Sequence, residues 1–160
     1  MYEIRRLAYE DLPALAKMYS YYAQHTVTTY CNHEVSPQYM NGLLRGPGHH
    51  CFVAVAEDGS IAGYVHLTPV FSILGKKYEV AIYLMPQHTG KGLGRQMVRY
   101  GESFAKKAGA RHLAVSVCTE NTPSLSLFDA LGYRRTRIKV AAGEKFGRFL
   151  DTQLFEKSLV

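Results

Sequence analysis

In the first half of the chain, hydrophobic residues recur with two different spacings, one typical of strands and one typical of helices. Short runs that are apolar or alternate every second residue predict strands. These runs span residues 2–7, 51–56, 61–67 and 78–84. Apolar residues three or four apart predict a helix that starts near Pro13 and buries one stripe. The stripe is Leu12, Leu15, Ala16, Tyr19, Tyr22 and Ala23. A second, shorter helix is expected from Ser36 to Leu44, because Gly46-Pro47-Gly48 ends it.

The second half continues in the same manner after a glycine-rich stretch. A helix ended by Gly109 is expected there, with a buried stripe of Leu93, Met97, Tyr100 or Gly101, Phe104 and Ala108. A fifth strand is predicted over 112–117 and a short helix over 125–131. Two last strands, 137–140 and 150–156, flank a predicted loop over 142–149. The order β-α-α-β-β-β-α-β-α-β-β predicts an α+β domain with about seven strands in one sheet and about four helices packed on it.

Composition limits the class of protein. A hydrophobic fraction of 47% favours a folded core, and no apolar run approaches the roughly 20 residues of a membrane span. No linker divides the chain, so residues 1–160 are expected to form one domain. The N-terminus has no apolar signal core, and the three cysteines are odd in number and widely spaced. We expect a cytoplasmic protein without disulfides, metal or membrane association.

The formal net charge of +6 favours an anionic partner. Nucleic acid would require the basic residues on one face, but lysines and arginines are scattered along the chain. A coenzyme that carries phosphates satisfies the charge equally well. The sequence therefore predicts no nucleic-acid partner.

The stretch from Gln87 to Arg95 is the strongest candidate for chemistry. Glycines at 90, 92 and 94 follow a strand and open a helix, where unpaired N–H groups and the helix dipole favour a phosphate. A P-loop is excluded because no Ser or Thr follows Lys91 in the required place. A dinucleotide fold is disfavoured because the stretch lies past mid-chain and no acidic residue follows at the expected distance.

Two motifs resemble those of the GCN5-related N-acetyltransferases. Gln87, Gly90 and Gly92 fill the pattern Q/R-x-x-G-x-G/A of the acetyl-CoA pyrophosphate loop, and Asn121-x-x-Ser124 precedes Leu127-Phe128-x-x-Leu131-Gly132-Tyr133. The resemblance implies the fold of that family over the whole chain and acetyl-CoA as co-substrate. The coenzyme-binding residues that it implies are Leu84, Met85, Gln87, His88, Thr89, Gly90, Lys91, Gly92, Leu93, Gly94, Arg95, Asn121, Ser124 and Phe128.

A narrower resemblance is to the phosphinothricin and methionine sulfone/sulfoximine acetyltransferase branch. The similar segments are 12–19, 26–30, 78–86 and Lys145-Phe146-Gly147-Arg148-Phe149-Leu150-Asp151. This resemblance implies transfer of acetyl to the primary amine of a small molecule such as an amino-acid analogue. It also implies a homodimer.

The resemblance places the chemistry next to the coenzyme loop. Glu79 is expected to be the base that removes the proton of the amine, on the strand face that it shares with Tyr83. A main-chain N–H near Met85 is expected to hold the thioester oxygen. Relatives often carry Tyr or His where this chain has Phe128, which cannot protonate the leaving thiolate. Water is then the expected donor, with Tyr83, Tyr64 or Tyr133 as the alternatives.

The acceptor site is less well defined by the sequence. Tyr30, Phe71 and Tyr83 are expected to line an aromatic pocket, with charge from Lys145 and Arg148. The branch has arginines in the loop after the third strand, whereas residues 69–75 here are mostly apolar. The alternatives are an enzyme that acetylates peptide or protein amines, favoured by an open groove, and a binding module without turnover, favoured by Phe128.

Overall fold

The computed structural model describes residues 1–160. Its strands are β1 (Glu3–Arg6), β2 (His50–Val55), β3 (Ile61–Val70), β4 (Lys77–Leu84), β5 (His112–Cys118), β6 (Arg134–Lys145) and β7 (Arg148–Ser158). Its helices are α1 (Leu12–His25), α2 (Pro37–Leu44), α3 (Leu93–Lys107) and α4 (Thr122–Ala130), with short 3-10 turns at Tyr9–Asp11 and Pro86–His88. The predicted order and class of elements are confirmed.

The seven strands form one sheet in the order β1-β2-β3-β4-β5-β7-β6. Every neighbouring pair is antiparallel except β4 and β5, which are parallel and pair only from Lys77–Glu79 to His112–Ala114. Beyond Glu79 the two strands separate toward their carboxyl ends. The separation leaves a notch in the middle of the sheet, where backbone groups of β4 face no neighbouring strand.

Helices cover both faces of the sheet. Helices α1 and α2 bury Leu15, Met18 and Met40 against Val53 of β2 and Tyr64 of β3. On the other face, a larger cluster joins α3 and α4 to the sheet, with Val65, Met97, Phe128 and Phe155 at its centre. None of the helices is both long and apolar enough to cross a membrane.

The buried stripe of α3 agrees with the prediction at Leu93, Met97 and Gly101, whereas Phe104 and Ala108 are only partly buried. The residues that pack inward are Leu93, Met97, Val98, Gly101 and Ala105, whereas Tyr100 is 39% exposed. A Cβ at Gly101 would lie 3.4 Å from Val65 of β3, so the small residues let the helix lie close to the sheet. Close packing, which the spacing does not encode, therefore favours Gly101 over Tyr100 and adds Val98 and Ala105 to the stripe.

The predicted loop over 142–149 is wrong. Strands β6 and β7 continue through it and meet in a two-residue turn, Phe146-Gly147, with φ of 55° and 76°. Both turn residues adopt the left-handed conformation that a tight type I′ hairpin requires. Phenylalanine is a rare choice at such a position, and for that reason the sequence pattern did not indicate a turn.

Candidate active site

The notch between β4 and β5 opens into a cleft of about 600 Å³. One wall is the glycine loop with the start of α3, and the floor is the carboxyl end of β4. The opposite wall is the segment from Thr26 to Thr28, which follows α1, together with the start of α4. The cleft is large enough for an extended ligand of the size of a coenzyme.

The glycine wall is a cradle of main-chain donors. Gly90 and Gly92 have φ of 73° and 81°, and the first helical bond of α3 runs from the Gln96 amide to the Gly92 carbonyl at 3.1 Å. The amides of residues 90–95 consequently donate to no main-chain carbonyl. Arg95 lines the same wall. Unpaired amides, a helix N-terminus and a guanidinium together fit a pyrophosphate.

The opposite wall is held by side chains from distant parts of the chain. The Asn121 amide donates to Thr28 Oγ1 at 3.4 Å, while Asn121 Oδ1 accepts the Ser124 amide and so caps α4. Lys145 is 2% exposed and donates through Nζ to the Thr29 carbonyl at 2.6 Å. Burial lowers the pKa of Lys145, and no carboxylate pairs with its ammonium group.

The Met85 amide itself is not free to serve as the expected main-chain donor. The Met85 amide donates to the Ala62 carbonyl of β3 at 2.8 Å. Hydrogen bonds of an antiparallel strand alternate between its two sides, so Ile82 and Leu84 direct their N–H groups away from β3, into the notch. Tyr22 donates its hydroxyl to the Leu84 carbonyl. The free main-chain donors at this end of the cleft are therefore the amides of Leu84 and Ile82, one and three residues before Met85.

A small cavity of about 50 Å³ forms the inner end of the notch. It shares five lining residues with the cleft, namely Thr28, Ile82, Tyr83, Asn121 and Ser124. Phe128 closes its inner side, is 1% exposed and packs edge-on against Tyr133 at 5.1 Å between ring centroids. Phe128 is a core residue beside the cleft, in agreement with its inability to donate a proton.

Tyr83 and Glu79 face the same side of β4 but have different surroundings. Tyr83 lines the cleft, stacks on Tyr64 at 5.1 Å, and has its pKa raised by burial. Glu79 instead lies in an open groove of about 400 Å³ on the uncovered face of β4, β5 and β7. Partial burial raises the pKa of Glu79, and Ser116 Oγ donates to Glu79 Oε2 at 3.4 Å.

The predicted acceptor pocket is not formed. Phe71 is 90% exposed on the loop between β3 and β4. Tyr30 packs against Gly143 of β6 and bonds the Thr152 hydroxyl, so it braces the wall and does not line the cleft. Lys145 is buried in the same brace. Arg148 is engaged in an ion pair with Glu120, a cleft residue, at 2.5 Å.

Several residues of the glycine stretch also lie outside the cleft. The side chain of Leu93 is 1% exposed in the core, so only its amide faces the cradle. His88 Nδ1 bonds the Tyr2 hydroxyl at 2.8 Å, which anchors the 3-10 turn. Gln87 and Lys91 are exposed and do not line the cleft. The glycine motif therefore sets the conformation of the loop, and fewer of its side chains line the cleft than expected.

The sequence pattern missed part of the lining. Tyr22, Thr28, Ile82, Glu120 and Leu127 line the cleft without having been singled out as site residues. The segment 26–30 resembled the branch, which was the available signal for Thr28. No group of three or more His, Cys, Asp or Glu side chains is placed to hold a metal ion.

Comparison with known proteins agrees with this geometry. The profile of the acetyltransferase (GNAT) family matches residues 2–133. The chain belongs to this family, and it is an acyltransferase that uses acetyl-CoA as co-substrate.

Particular relatives extend over nearly the whole chain. The L-methionine sulfoximine/L-methionine sulfone acetyltransferase of Salmonella typhimurium is 27% identical over 156 residues, 93% of this chain and 90% of that protein. The phosphinothricin N-acetyltransferase of Alcaligenes faecalis is 27% identical over 98% of this chain and 82% of its own length. A phosphinothricin acetyltransferase from Sinorhizobium meliloti, solved in complex with acetyl-CoA, superposes with a TM-score of 0.89 at 25% identity and covers 98% of this chain and 88% of its own.

Proposed function

We propose that this enzyme transfers acetyl from acetyl-CoA to the primary amine of a small molecule, an amino-acid analogue such as phosphinothricin or methionine sulfone/sulfoximine. The proposal rests on one observation, namely that the coenzyme cleft and the groove of Glu79 both reach the notch between β4 and β5. The coenzyme cleft enters the notch between β4 and β5 from one side, and the groove that holds Glu79 borders the same notch. Relatives named for such substrates span more than nine-tenths of the chain.

The groove suits a small zwitterion. It is lined by both signs of charge, with Glu79 and Glu156 beside Lys77 and Arg137. Carboxylates attract the ammonium group of an amino acid, and a guanidinium attracts its acid group. Arg137 therefore replaces Lys145 and Arg148 as the candidate partner of an acid group on the substrate.

The reaction is direct attack of the amine on the thioester. Glu79, as the base, removes the proton of the ammonium group, because only the free amine has a lone pair to form the new N–C bond. The Leu84 or Ile82 amide, aimed into the notch, stabilises the oxyanion as the carbonyl becomes tetrahedral. The C–S bond then breaks, and solvent protonates the thiolate, since Phe128 carries no proton to give.

The openness of the groove favours a second candidate acceptor. The aromatic pocket expected from Tyr30 and Phe71 is absent, and the face that holds Glu79 is uncovered. A peptide or protein amine has access to such a surface, so acetylation of a peptide amine is the alternative reaction.

We further propose that the 160 residues form a single domain that works as a homodimer in the cytoplasm. Phe71, Ile73 and Leu74 are 90%, 87% and 67% exposed on one loop, which supports association through an apolar surface. The three cysteines are unpaired, which suits a reducing compartment.

The test is thiol release from acetyl-CoA with phosphinothricin, methionine sulfone, methionine sulfoximine, common amino acids and short peptides. We expect turnover with at least one amino-acid analogue, and a fall in kcat of two orders of magnitude or more in Glu79→Gln. Calorimetry should show the same affinity for acetyl-CoA in both proteins. Turnover restricted to peptides would select the alternative, and undiminished turnover in Glu79→Gln would remove Glu79 as the base.

A further inference from the structure

Ser116 of β5 lies at the boundary between the two openings. It lines both the small inner cavity of the notch and the open groove, whereas Glu79 lines the groove alone. The parallel register pairs Glu79 with Ala114, so Ser116 is the next residue of β5 on the same face. Its hydroxyl donates to Glu79 Oε2 at 3.4 Å.

Other polar side chains reach the inner cavity without contacting Glu79. They are Thr28, Tyr83, Asn121 and Ser124, and none of them is hydrogen-bonded to the carboxylate. The neighbours of Ser116 along β5, Val115 and Val117, point to the opposite face and are buried in the core. Ser116 is thus the one hydroxyl that joins the carboxylate in the groove to the cavity in which the thioester would lie.

We propose that Ser116 is a catalytic residue that relays a proton from the reacting ammonium group to the base Glu79. This inference rests on the proposed function. The ammonium group of the substrate gives a proton to Ser116 Oγ while the Ser116 hydroxyl proton passes to the Glu79 carboxylate. The serine ends as it began, the amine gains its lone pair and the carboxylate becomes a carboxylic acid. A hydroxyl is suited to this transfer because it donates and accepts at the same time.

Other titratable groups face Glu79 and set the background for its ionisation. Lys77 on β4 favours the carboxylate and is itself paired with Glu156 of β7 at 3.3 Å. Arg137 of β6 lines the far side of the groove. On β3, His66 lies on the same face and is engaged with His49, with 2.9 Å between Nε2 and Nδ1. A change at Ser116 alone leaves all of these groups in place.

The proposal predicts a specific change in the pH profile. Burial raises the pKa of Glu79, and the hydrogen bond from Ser116 opposes that rise. Removing the hydroxyl should raise the pKa of Glu79 further. Because the base acts only when ionised, activity falls as the pH drops through this pKa, and the acid limb of kcat should move to higher pH in Ser116→Ala.

The experiment compares Ser116→Ala, Ser116→Thr, Glu79→Gln and the double variant Ser116→Ala/Glu79→Gln in the intact enzyme. We expect Ser116→Ala to lower kcat on the order of tenfold or more, with the acid limb displaced and with acetyl-CoA affinity and melting temperature unchanged. Ser116→Thr, which keeps the hydroxyl, should restore both the rate and the profile. In the Glu79→Gln background, Ser116→Ala should have no further effect.

Two outcomes would overturn the proposal. Wild-type kcat and an undisplaced acid limb in Ser116→Ala, together with an inactive Glu79→Gln, would refute the role of Ser116 and leave the proposed function intact. A lowered melting temperature with an undisplaced limb would assign Ser116 to packing alone. Full activity of Glu79→Gln would instead refute the proposed base, so the two failures are distinguishable.

Discussion

The two walls of the coenzyme cleft are built in different ways. The glycine wall is made by nine consecutive residues, from Gln87 to Arg95, whose backbone conformation and helix start create the donors. The segment 26–30, which carries the opposite wall, is held by bonds to Asn121, Lys145 and Thr152, which lie 93, 116 and 122 residues from their partners along the chain. A wall of the first kind can be recognised in sequence, whereas the second exists only in the folded protein.

The largest expected effect is on the glycine wall. In Gly92→Ala an L-residue would occupy the left-handed conformation at φ 81°, at a cost of about 1–2 kcal/mol, and the loop would relax away from its cradle geometry. We expect the Kd for acetyl-CoA, measured by calorimetry, to rise on the order of tenfold or more.

Gly109→Ala is the matched control. Gly109 has φ 89° just beyond the other end of α3, and no atom lies within 4 Å of a Cβ at either glycine. Both variants should lose similar stability to thermal unfolding, but Gly109→Ala should bind acetyl-CoA normally. Equal affinity losses in the two would show that Gly92 acts through general stability and not through the cradle.

An intermediate effect is expected on the opposite wall from Lys145→Met. The substitution keeps the length of the side chain but leaves the partly buried Thr29 carbonyl without its donor. Loss of such a hydrogen bond costs about 1 kcal/mol of the free energy of unfolding. We expect a lower denaturant midpoint and a several-fold rise in the KM for acetyl-CoA, because residues 26–28 lose their support.

Lys139→Met on the same strand provides the comparison, since Lys139 is exposed. Lys139→Met should change neither the denaturant midpoint nor the KM for acetyl-CoA. If Lys145→Met were as stable as the wild type, the buried ammonium would not be what holds this wall.

The smallest effect should separate two roles of Asn121. Its Oδ1 caps α4, and its amide nitrogen bridges to Thr28. In Asn121→Ser the cap is kept, because serine is an equally good N-cap, while the bridge is lost. We expect an unchanged melting temperature and a two- to three-fold rise in the KM for acetyl-CoA, on the order of 0.5 kcal/mol.

Asn121→Ala removes both interactions and should in addition lower stability by about 1 kcal/mol. Identical KM values in Asn121→Ser and the wild type would mean that the weak bond to Thr28, at 3.4 Å, contributes nothing to the cleft.

The order of strands and helices was predictable because each element carries its own periodicity. The hairpin of β6 and β7 was not, since its turn uses Phe146 in a conformation that phenylalanine rarely adopts. The spacing left Tyr100 and Gly101 as alternatives in the stripe of α3, because the close approach of Gly101 to Val65 is a property of two packed elements.

In the candidate site, too, the sequence failed to indicate features that depend on tertiary contacts. Tyr30 and Lys145 belong to two segments that resemble the branch. The aromatic ring of Tyr30 and the charge of Lys145 suggested substrate contacts, whereas in the structure both side chains brace the wall. The sequence placed the donor near Met85 but did not show which amide is free, because the alternation of hydrogen bonds along β4 depends on its register with β3. Neither a buried partner nor a strand register is encoded within a short window of sequence.

The sequence by itself determined the class of fold, the glycine cradle and the acetyl-CoA chemistry, because these follow from local conformation and from motifs of consecutive residues. Only the tertiary structure decided where β4 and β5 separate, which amides face the notch and which polar residues are braces. These features arise when segments about a hundred residues apart meet, and hydrogen bonds such as that of Lys145 to Thr29 form only then.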